Sequence, residues 1–495
     1  MDQSSTPFFD QIKAFSDLER LSFHMPGNRG GKAFPEEFRG GFAALEATEL
    51  NRTADLNDPT QVVLEAEALA AECFGAGKSF FLTSGSSMAI ASVLSAVCSP
   101  GARIWVDPTS HRSLAHTAVL MDFELAFLPL SPSKGRSPLP KVDADAFYQQ
   151  IQQKDFIPAE AIYICSPDYY GSITDLRVWR AIADELGVPL LVDEAHGASF
   201  VAAPEWMPPS SLHIGADLVV QSAHKTLPAL APSSLLHFSQ NAMRKWPDLA
   251  KKILRTRPLF QTSSPSFPIA ASLDWARSFL ATRGHESIQS LLEKISEFKS
   301  KLPEDFKFLE ASEGEDPTRM VIDFSESEWE AADLVIALEE NGIDIEMTDL
   351  QRLVLIPALD QPREDFLELA NVLQKLANST APHPMAKEEK SKRSAISKQL
   401  LTSLLRKREA LRPRKSFFYA MHHNHGISID EARKAISNGK EIVAGIPIHP
   451  YPPGIPLYYP GESLGEKDLD FLEQLLIAGL QLPSCSLDSF PFILH

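Results

Sequence analysis

The stretch Asp217-Leu218-Val219-Val220-Gln221-Ser222-Ala223-His224-Lys225-Thr226 decides how this chain is read. It begins as a short apolar run with strand character and ends in a lysine. A lone lysine is usually solvated surface, so its company matters. Thirty-two residues earlier, Asp193 closes the apolar run Leu190-Leu191-Val192 and is followed by Glu194-Ala195-His196-Gly197. An acid at the C-terminal end of a parallel strand stands where α/β sheets bind their ligands.

Further upstream, Ser84-Gly85-Ser86-Ser87 separates the strand Phe80–Leu82 from a helix running from Ser87 to about Val97. Small residues there let backbone N–H groups approach an anion at the helix N-terminus. Taken alone, the turn is more often a plain strand–helix connection. Further apolar runs lie at Arg103–Val106, Ala161–Cys165, Pro189–Val192 and Ser234–Phe238, and an amphipathic helix is expected over 61–74. Strands alternating with helices imply an α/β fold with a mainly parallel sheet covered on both faces.

Beyond about residue 300 the texture changes. Strands are expected at 318–324 and 352–357 and helices at 328–341 and 362–377, a smaller α+β unit. The stretch 378–395, with Pro, Ala, Lys and Glu, reads as a linker. Helices follow at 396–410, 428–438 and 466–480, with a Pro/Gly-rich run at 448–462. The expected division is an N-terminal segment 1–45, a large domain 46–300, a small domain 301–380, a linker 381–395 and a C-terminal domain 396–495.

Four scattered cysteines form no CxxC pair, which disfavours a disulfide framework or a cysteine zinc site and fits a reducing compartment. The net charge of -18 disfavours nucleic acid and anionic membrane as partners. No leader and no membrane-spanning run stands out, so a cytoplasmic protein is expected. His422, His423 and His425 have no acidic or cysteine partner nearby and read as a polar loop before a helix. No metal site is expected.

Lys225, Asp193 and the Ser84–Ser87 turn together match what pyridoxal 5'-phosphate requires. An amine forms a Schiff base with it, a carboxylate keeps its pyridine nitrogen protonated, and a helix N-terminus with hydroxyls holds its phosphate. Their order along the chain resembles that of fold-type I enzymes.

Other segments narrow the resemblance. Leu21–Gly31, with His24-Met25-Pro26-Gly27-Asn28, is similar to the HxPGHKxG opening of the Orn/Lys/Arg decarboxylase family. Asp107–Ser113, Ser166-Pro167-Asp168-Tyr169-Tyr170-Gly171, Asp193–Ala198 and Ser222–Lys225 resemble four further motifs of that family. Pro450–Pro456 with Pro460-Gly461-Glu462 resembles its most distinctive signature, and the length matches its shorter, Bacillus-like arginine/lysine branch.

The resemblance implies a large aspartate-aminotransferase-like domain, a small α+β domain and a C-terminal α+β domain. It implies that Lys225 carries the cofactor, Asp193 pairs with the pyridinium and His111 stacks on the ring. Gly85, Ser86 and Ser87 would hold the phosphate with help from Ser222 and His224, and His196 would lie near the ring. Thr262, within Thr262–Pro265, would reach the phosphate of a neighbouring subunit in a homodimer or higher homo-oligomer. Glu462 would bind the distal cationic end of the substrate, the Pro/Tyr-rich run 450–460 would form the rim, and Lys225 or His224 would protonate Cα.

The expected reaction is α-decarboxylation of a basic amino acid, arginine first, with lysine or ornithine as alternatives, in polyamine synthesis. Asn28, Asp168, Ser199, Ala223 and Ser266 depart from the family pattern around the pocket. Two rival readings are an aminotransferase or lyase of the same fold, and an inactive binding or regulatory relative.

Overall fold

The computed structural model describes residues 21–23, 32–36, 39, 54–59 and 61–494, apart from 134, 386, 407, 424 and 425. Most of the 1–45 segment, with Asn28, and His425 lie outside the described residues. Strand β1 (Leu21–Phe23) comes first. The large domain is built on β2 (Lys78–Leu82), β3 (Arg103–Val106), β4 (Glu124–Phe127), the short pair β5 (Leu130–Ser131) and β6 (Lys141–Val142), β7 (Ile162–Cys165), β8 (Leu190–Asp193), β9 (Leu218–Gln221) and β10 (Ser234–Phe238). Seven of these form one sheet, ordered β2-β10-β9-β8-β7-β3-β4, in which only β10 runs against its neighbours.

Successive side chains of a strand point to opposite faces, and here both faces are covered. Phe81, Ile162, Ile164, Leu190, Val192 and Val219 enter one core. Phe80, Leu82, Tyr163, Leu191, Leu218 and Val220 enter the other. That is why these strands read as unbroken apolar runs rather than as alternating ones. It also fixes which way Asp193 points. In register with Cys165 across the sheet and two residues beyond Leu191, it shares the face of Leu191 and Tyr163.

The helix Phe267–Lys299, 33 residues long, leads out of the large domain. The small domain holds an antiparallel sheet ordered β11 (Lys307–Phe308), β12 (Met320–Asp323), β15 (Arg352–Leu355), β14 (Met347–Thr348), with helices Ala331–Glu340 and Arg363–Ala377. Strand β13 (Ile343–Ile345) pairs in parallel with β1, which ties the N-terminal region to the small domain. In the C-terminal domain β16 (Ile442–Ala444) lies between β17 (Ser463–Leu464) and β18 (Phe492–Leu494), packed with helices Pro413–His423, Ile429–Ser437 and Glu466–Ile477.

Two expectations change. The segment read as a linker is helical from Lys387 and continues to Leu405. Ile396, Leu400 and Leu404 recur every four residues and pack into the C-terminal core, while Arg393 pairs with Glu330 at 3.1 Å. Its charges had hidden that stripe. The helix Pro413–His423 was not anticipated, although proline at the first helical position is a favourable start. His422 and His423 therefore end a helix rather than lie in a loop. Among the described residues no group of three metal-ligating side chains occurs, and no helix is long and apolar enough to cross a membrane.

Beneath β2, the buried guanidinium of Arg257 meets the buried carboxylate of Glu67 at 3.3 Å, and Glu67 also accepts the Phe81 N–H at 3.1 Å. Burial raises the pKa of Glu67, and the arginine charge opposes that shift. Glu67→Ala would leave Arg257 buried without its counter-ion. The expected loss of unfolding free energy is about 3–5 kcal/mol, measured by chemical denaturation. A loss below ~1 kcal/mol would show that the pair is dispensable.

Candidate active site

The loops that leave β2, β3, β7, β8 and β9, and the one that enters β10, meet at one edge of the sheet. They surround a cavity of about 340 Å³. Lys225 projects into it from the single-turn helix Ala223–Thr226, which follows β9 with Ser222 at its N-cap. Its Nζ lies 3.0 Å from His196 Nε2. Asp193, at the end of β8, is 3% exposed. Its carboxylate accepts the Tyr163 O–H at 3.0 Å and the Ala195 N–H at 3.1 Å. Both of these donors are neutral.

Burial shapes the electrostatics. It raises the pKa of Asp193, and the charge on Lys225 works against that rise. It lowers the pKa of Lys225, opposed by the carboxylates of Asp193 and Glu346. His111 falls to about 3 and His224 to about 4, chiefly through desolvation, and His196 falls well below the usual imidazole value. All three imidazoles are therefore neutral at pH 7.

At the other end of the cavity Gly85 opens the helix Gly85–Val97 with φ +81°, a conformation that favours glycine. The Ser84 side chain makes no capping bond, so no side chain of this N-cap takes up the first-turn N–H groups. Ser222 and Ser86 join their hydroxyls at 2.6 Å, and Ser87 lines the same wall. His224 Nδ1 lies 2.9 Å from the Ser233 carbonyl oxygen.

His111, in the loop after β3, has its Nδ1 facing the N–H of Ser113 at 3.2 Å. The C-terminal domain supplies the facing wall through Tyr451, Pro452, Pro453 and Ile455. The Arg112 N–H donates to the Gly454 carbonyl at 2.9 Å, and the Arg112 guanidinium lies 4.9 Å from the centre of the Tyr451 ring. A proline-rich loop nearly 230 residues from Lys225 thus closes over it.

Two expected residues lie elsewhere. Glu462 is absent from the cavity wall. Its carboxylate accepts from Arg408 at 3.1 Å, from Arg406 at 3.2 Å and from the Tyr459 N–H at 2.6 Å, so it anchors the C-terminal domain and presents no spare charge to this chain's cavity. Thr262 also lies outside the cavity. It is exposed, its carbonyl accepts from Asn57, and its hydroxyl accepts the Ser264 N–H.

Of the departures from the family pattern, Asp168 has a local role, and nothing in the structure explains Ser199, Ala223 or Ser266. Asp168 accepts the Tyr170 and Ser172 N–H groups at 2.9 Å each and pairs with Lys141 at 3.2 Å, so it caps its own turn. Ser199 is buried before the turn Phe200–Ala202, and Ala223 is buried at the start of the Lys225 helix. Ser266 is the N-cap of the 33-residue helix. Sequence reasoning missed Tyr163, which supports Asp193, and Arg319, whose NH2 lies 3.2 Å from His196 Nδ1. It also missed Glu346, the acceptor of the Tyr169 hydroxyl. Tyr163 was legible as the strand partner on the Asp193 face. The other two sit in the small domain with no local motif.

The donor set fits pyridoxal phosphate. A buried carboxylate with two neutral donors suits a protonated pyridine nitrogen. A buried amine of lowered pKa suits carbonyl condensation. Two linked serine hydroxyls and a helix N-terminus without a side-chain cap suit a phosphate. This arrangement on a mainly parallel sheet defines a fold-type I pyridoxal-phosphate enzyme.

The comparisons narrow the class. Residues 6–319 match Orn/Lys/Arg decarboxylase, major domain, and residues 399–487 match the C-terminal domain of the same family. The uncharacterized protein YaaO of Bacillus subtilis is 29% identical over 485 residues, spanning 95% of this chain and 94% of its own. An arginine decarboxylase of the same organism is 26% identical over 494 residues, 97% of this chain and 95% of its own. Lysine decarboxylase A from Pseudomonas aeruginosa superimposes with a TM-score of 0.74 at 19% identity, covering 99% of this chain and 78% of that one. The chain belongs to the Orn/Lys/Arg decarboxylase family and is a pyridoxal-phosphate-dependent decarboxylase of basic amino acids.

A Cβ at Gly454, where φ is +80°, would come within 3.1 Å of the His111 ring. Gly454→Ala should push the imidazole and the rim loop apart and weaken pyridoxal phosphate binding about tenfold, equivalent to ~1.4 kcal/mol. Absorbance titration of the cofactor-free protein checks this; unchanged affinity would show that the loop does not set the position of His111.

Proposed function

We propose that the substrate is arginine, released as carbon dioxide and agmatine, as a step of polyamine formation. The observation that carries this reading is the convergence of Lys225, Asp193 and His111 in one cavity of a chain that resembles arginine decarboxylases over nearly its whole length.

In this reading Lys225 would hold the cofactor through its amine. The bound cofactor supplies an electron sink for the pair left on Cα when carbon dioxide departs. Asp193, supported by Tyr163, would keep a proton on the ring nitrogen. Ser86, Ser87, the Gly85 backbone and Ser222 would hold the phosphate. His111 would cover the ring, and His196 lies beside the Lys225 amine. Lys225 or His224 returns a proton to Cα. The apolar rim Tyr451–Ile455 excludes water and holds the scissile bond in one orientation, which selects decarboxylation over transamination.

The reading includes a homodimer or larger homo-oligomer with shared sites, supported by Thr262, which is exposed and outside the cavity of its own chain. It also places the enzyme in the cytoplasm, in keeping with four free cysteines. Carbon dioxide release from arginine, lysine and ornithine, with pyridoxal phosphate added, tests the proposal. Arginine should give agmatine at the highest kcat/KM, and Lys225→Ala should abolish turnover and the visible absorbance of the lysine-bound cofactor. A keto acid without carbon dioxide would overturn it.

A further inference from the structure

Arg319 precedes β12 in the small domain and is 1% exposed. Its carbonyl accepts from Arg136 NH1 at 2.9 Å, and the Asp316 carbonyl accepts from Arg136 NH2 at 2.6 Å, so a second buried arginine clamps the backbone on both sides of the turn. Gly171 gives way to both side chains. A Cβ there would come within 2.5 Å of Arg136 NH2 and 2.8 Å of Arg319 Cβ. Among the described residues the guanidinium so placed has one side-chain partner, His196 Nδ1 at 3.2 Å, and its Nε and NH1 are buried without partners.

An arginine donates hydrogen bonds and accepts none. His196 Nδ1 must then be the acceptor, and in a neutral imidazole the proton sits on Nε2. That nitrogen faces Lys225 Nζ at 3.0 Å. A nitrogen that carries the proton donates, so the lysine nitrogen must offer a lone pair, and an ammonium has none.

We propose that Arg319 is a positioning residue that fixes His196 as the Nε2–H tautomer, so that the imidazole donates to Lys225 and holds its amine uncharged and nucleophilic. The assignment rests on the reading of Lys225 as the cofactor-bearing amine and adds a specific source of its reactivity. The other charged or titratable groups acting on Lys225 are Asp193, Glu346 and Cys165, with His111 and His224 beside it. Desolvation leads the shift of its pKa, and Asp193 and Glu346 oppose it. The His196 bond adds to desolvation a directional preference for the neutral form.

The first test needs no variant. In the cofactor-free protein labelled with 15N-histidine, with His196 assigned by the signal lost in His196→Gln, Nδ1 should show the shift of an unprotonated nitrogen and Nε2 that of a protonated one. The reverse pattern overturns the proposal. The second test reads Lys225 directly, by the pH dependence of its acetylation with acetic anhydride followed by peptide mass spectrometry. Arg319→Met frees the imidazole to turn its lone pair toward the lysine, and the midpoint should rise by about one pH unit.

Loss of the arginine charge alone would also raise the midpoint. His196→Leu separates the two causes, because its side chain can neither donate to Lys225 nor accept from it. In that background Arg319→Met should move the midpoint by less than ~0.3 unit. Equal shifts in both backgrounds would reduce Arg319 to a distant charge and overturn the proposal. Uptake of pyridoxal phosphate by the wild-type protein is measured alongside. Absent uptake with the expected tautomer and midpoint would refute the cofactor reading and leave the tautomer assignment supported. Normal uptake with the reversed tautomer would refute the assignment alone.

Discussion

A carboxylate withdrawn from water dominates this molecule. Asp193 ends a central strand, is buried, and among the described residues accepts hydrogen bonds only from the Tyr163 hydroxyl and the Ala195 N–H. Removing an ionised carboxylate from solvent costs several kcal/mol, and two neutral hydrogen bonds offset part of that. The remainder is a demand for positive charge inside the cavity. A protonated pyridine nitrogen would meet that demand when the cofactor is held, and a Lys225 amine kept neutral by the His196 bond does not compete for it.

The parallel sheet makes such a placement possible. Strand ends that point the same way bring five loops together at one edge, each contributing a different group. Crossing the sheet from β2 to β3, these are the serine turn, the lysine helix, the carboxylate, the Cys165–Tyr169 loop and the His111 loop. The cavity needs a lid, and the C-terminal domain provides it. Leu125 and Leu411 exchange backbone hydrogen bonds, Tyr459 donates to the Pro108 carbonyl at 3.3 Å, and Arg112 reaches Gly454. These contacts flank the His111 loop, so the wall of prolines and His111 are fixed by one set of interactions.

Sequence reading succeeded where local chemistry repeats a physical rule. Unbroken apolar runs such as Leu190–Val192 signalled strands buried on both faces, and an acid or a small-residue turn just beyond them marked the ligand edge. It failed where charge masked periodicity, as in Lys387–Leu405, whose buried stripe of Ile396, Leu400 and Leu404 is diluted by lysines and glutamates. It also failed for groups brought in from far along the chain. Arg319 follows Pro317 and Thr318 with nothing nearby to mark it, and its meaning exists only once β12 lies beside His196. Glu462 illustrates the converse. Its motif is distinctive, yet the structure uses the carboxylate to neutralise Arg406 and Arg408.

The charge inventory of the cavity bears on why bond cleavage at a carboxylate suits it. Among the described residues lining it, Lys225 is the only lysine and there is no arginine. Its histidines are neutral at pH 7, because burial beside Lys225 and one another lowers their pKa. A cationic wall would stabilise a substrate carboxylate in the ground state, and that stabilisation would vanish as neutral carbon dioxide formed. Interactions that favour the reactant over the transition state slow a reaction. The lid adds prolines and a tyrosine ring, which offer a carboxylate little solvation. Of the permanent cations close by among the described residues, Arg112 lies over the Tyr451 ring and Arg319 is turned toward His196, and neither lines the cavity.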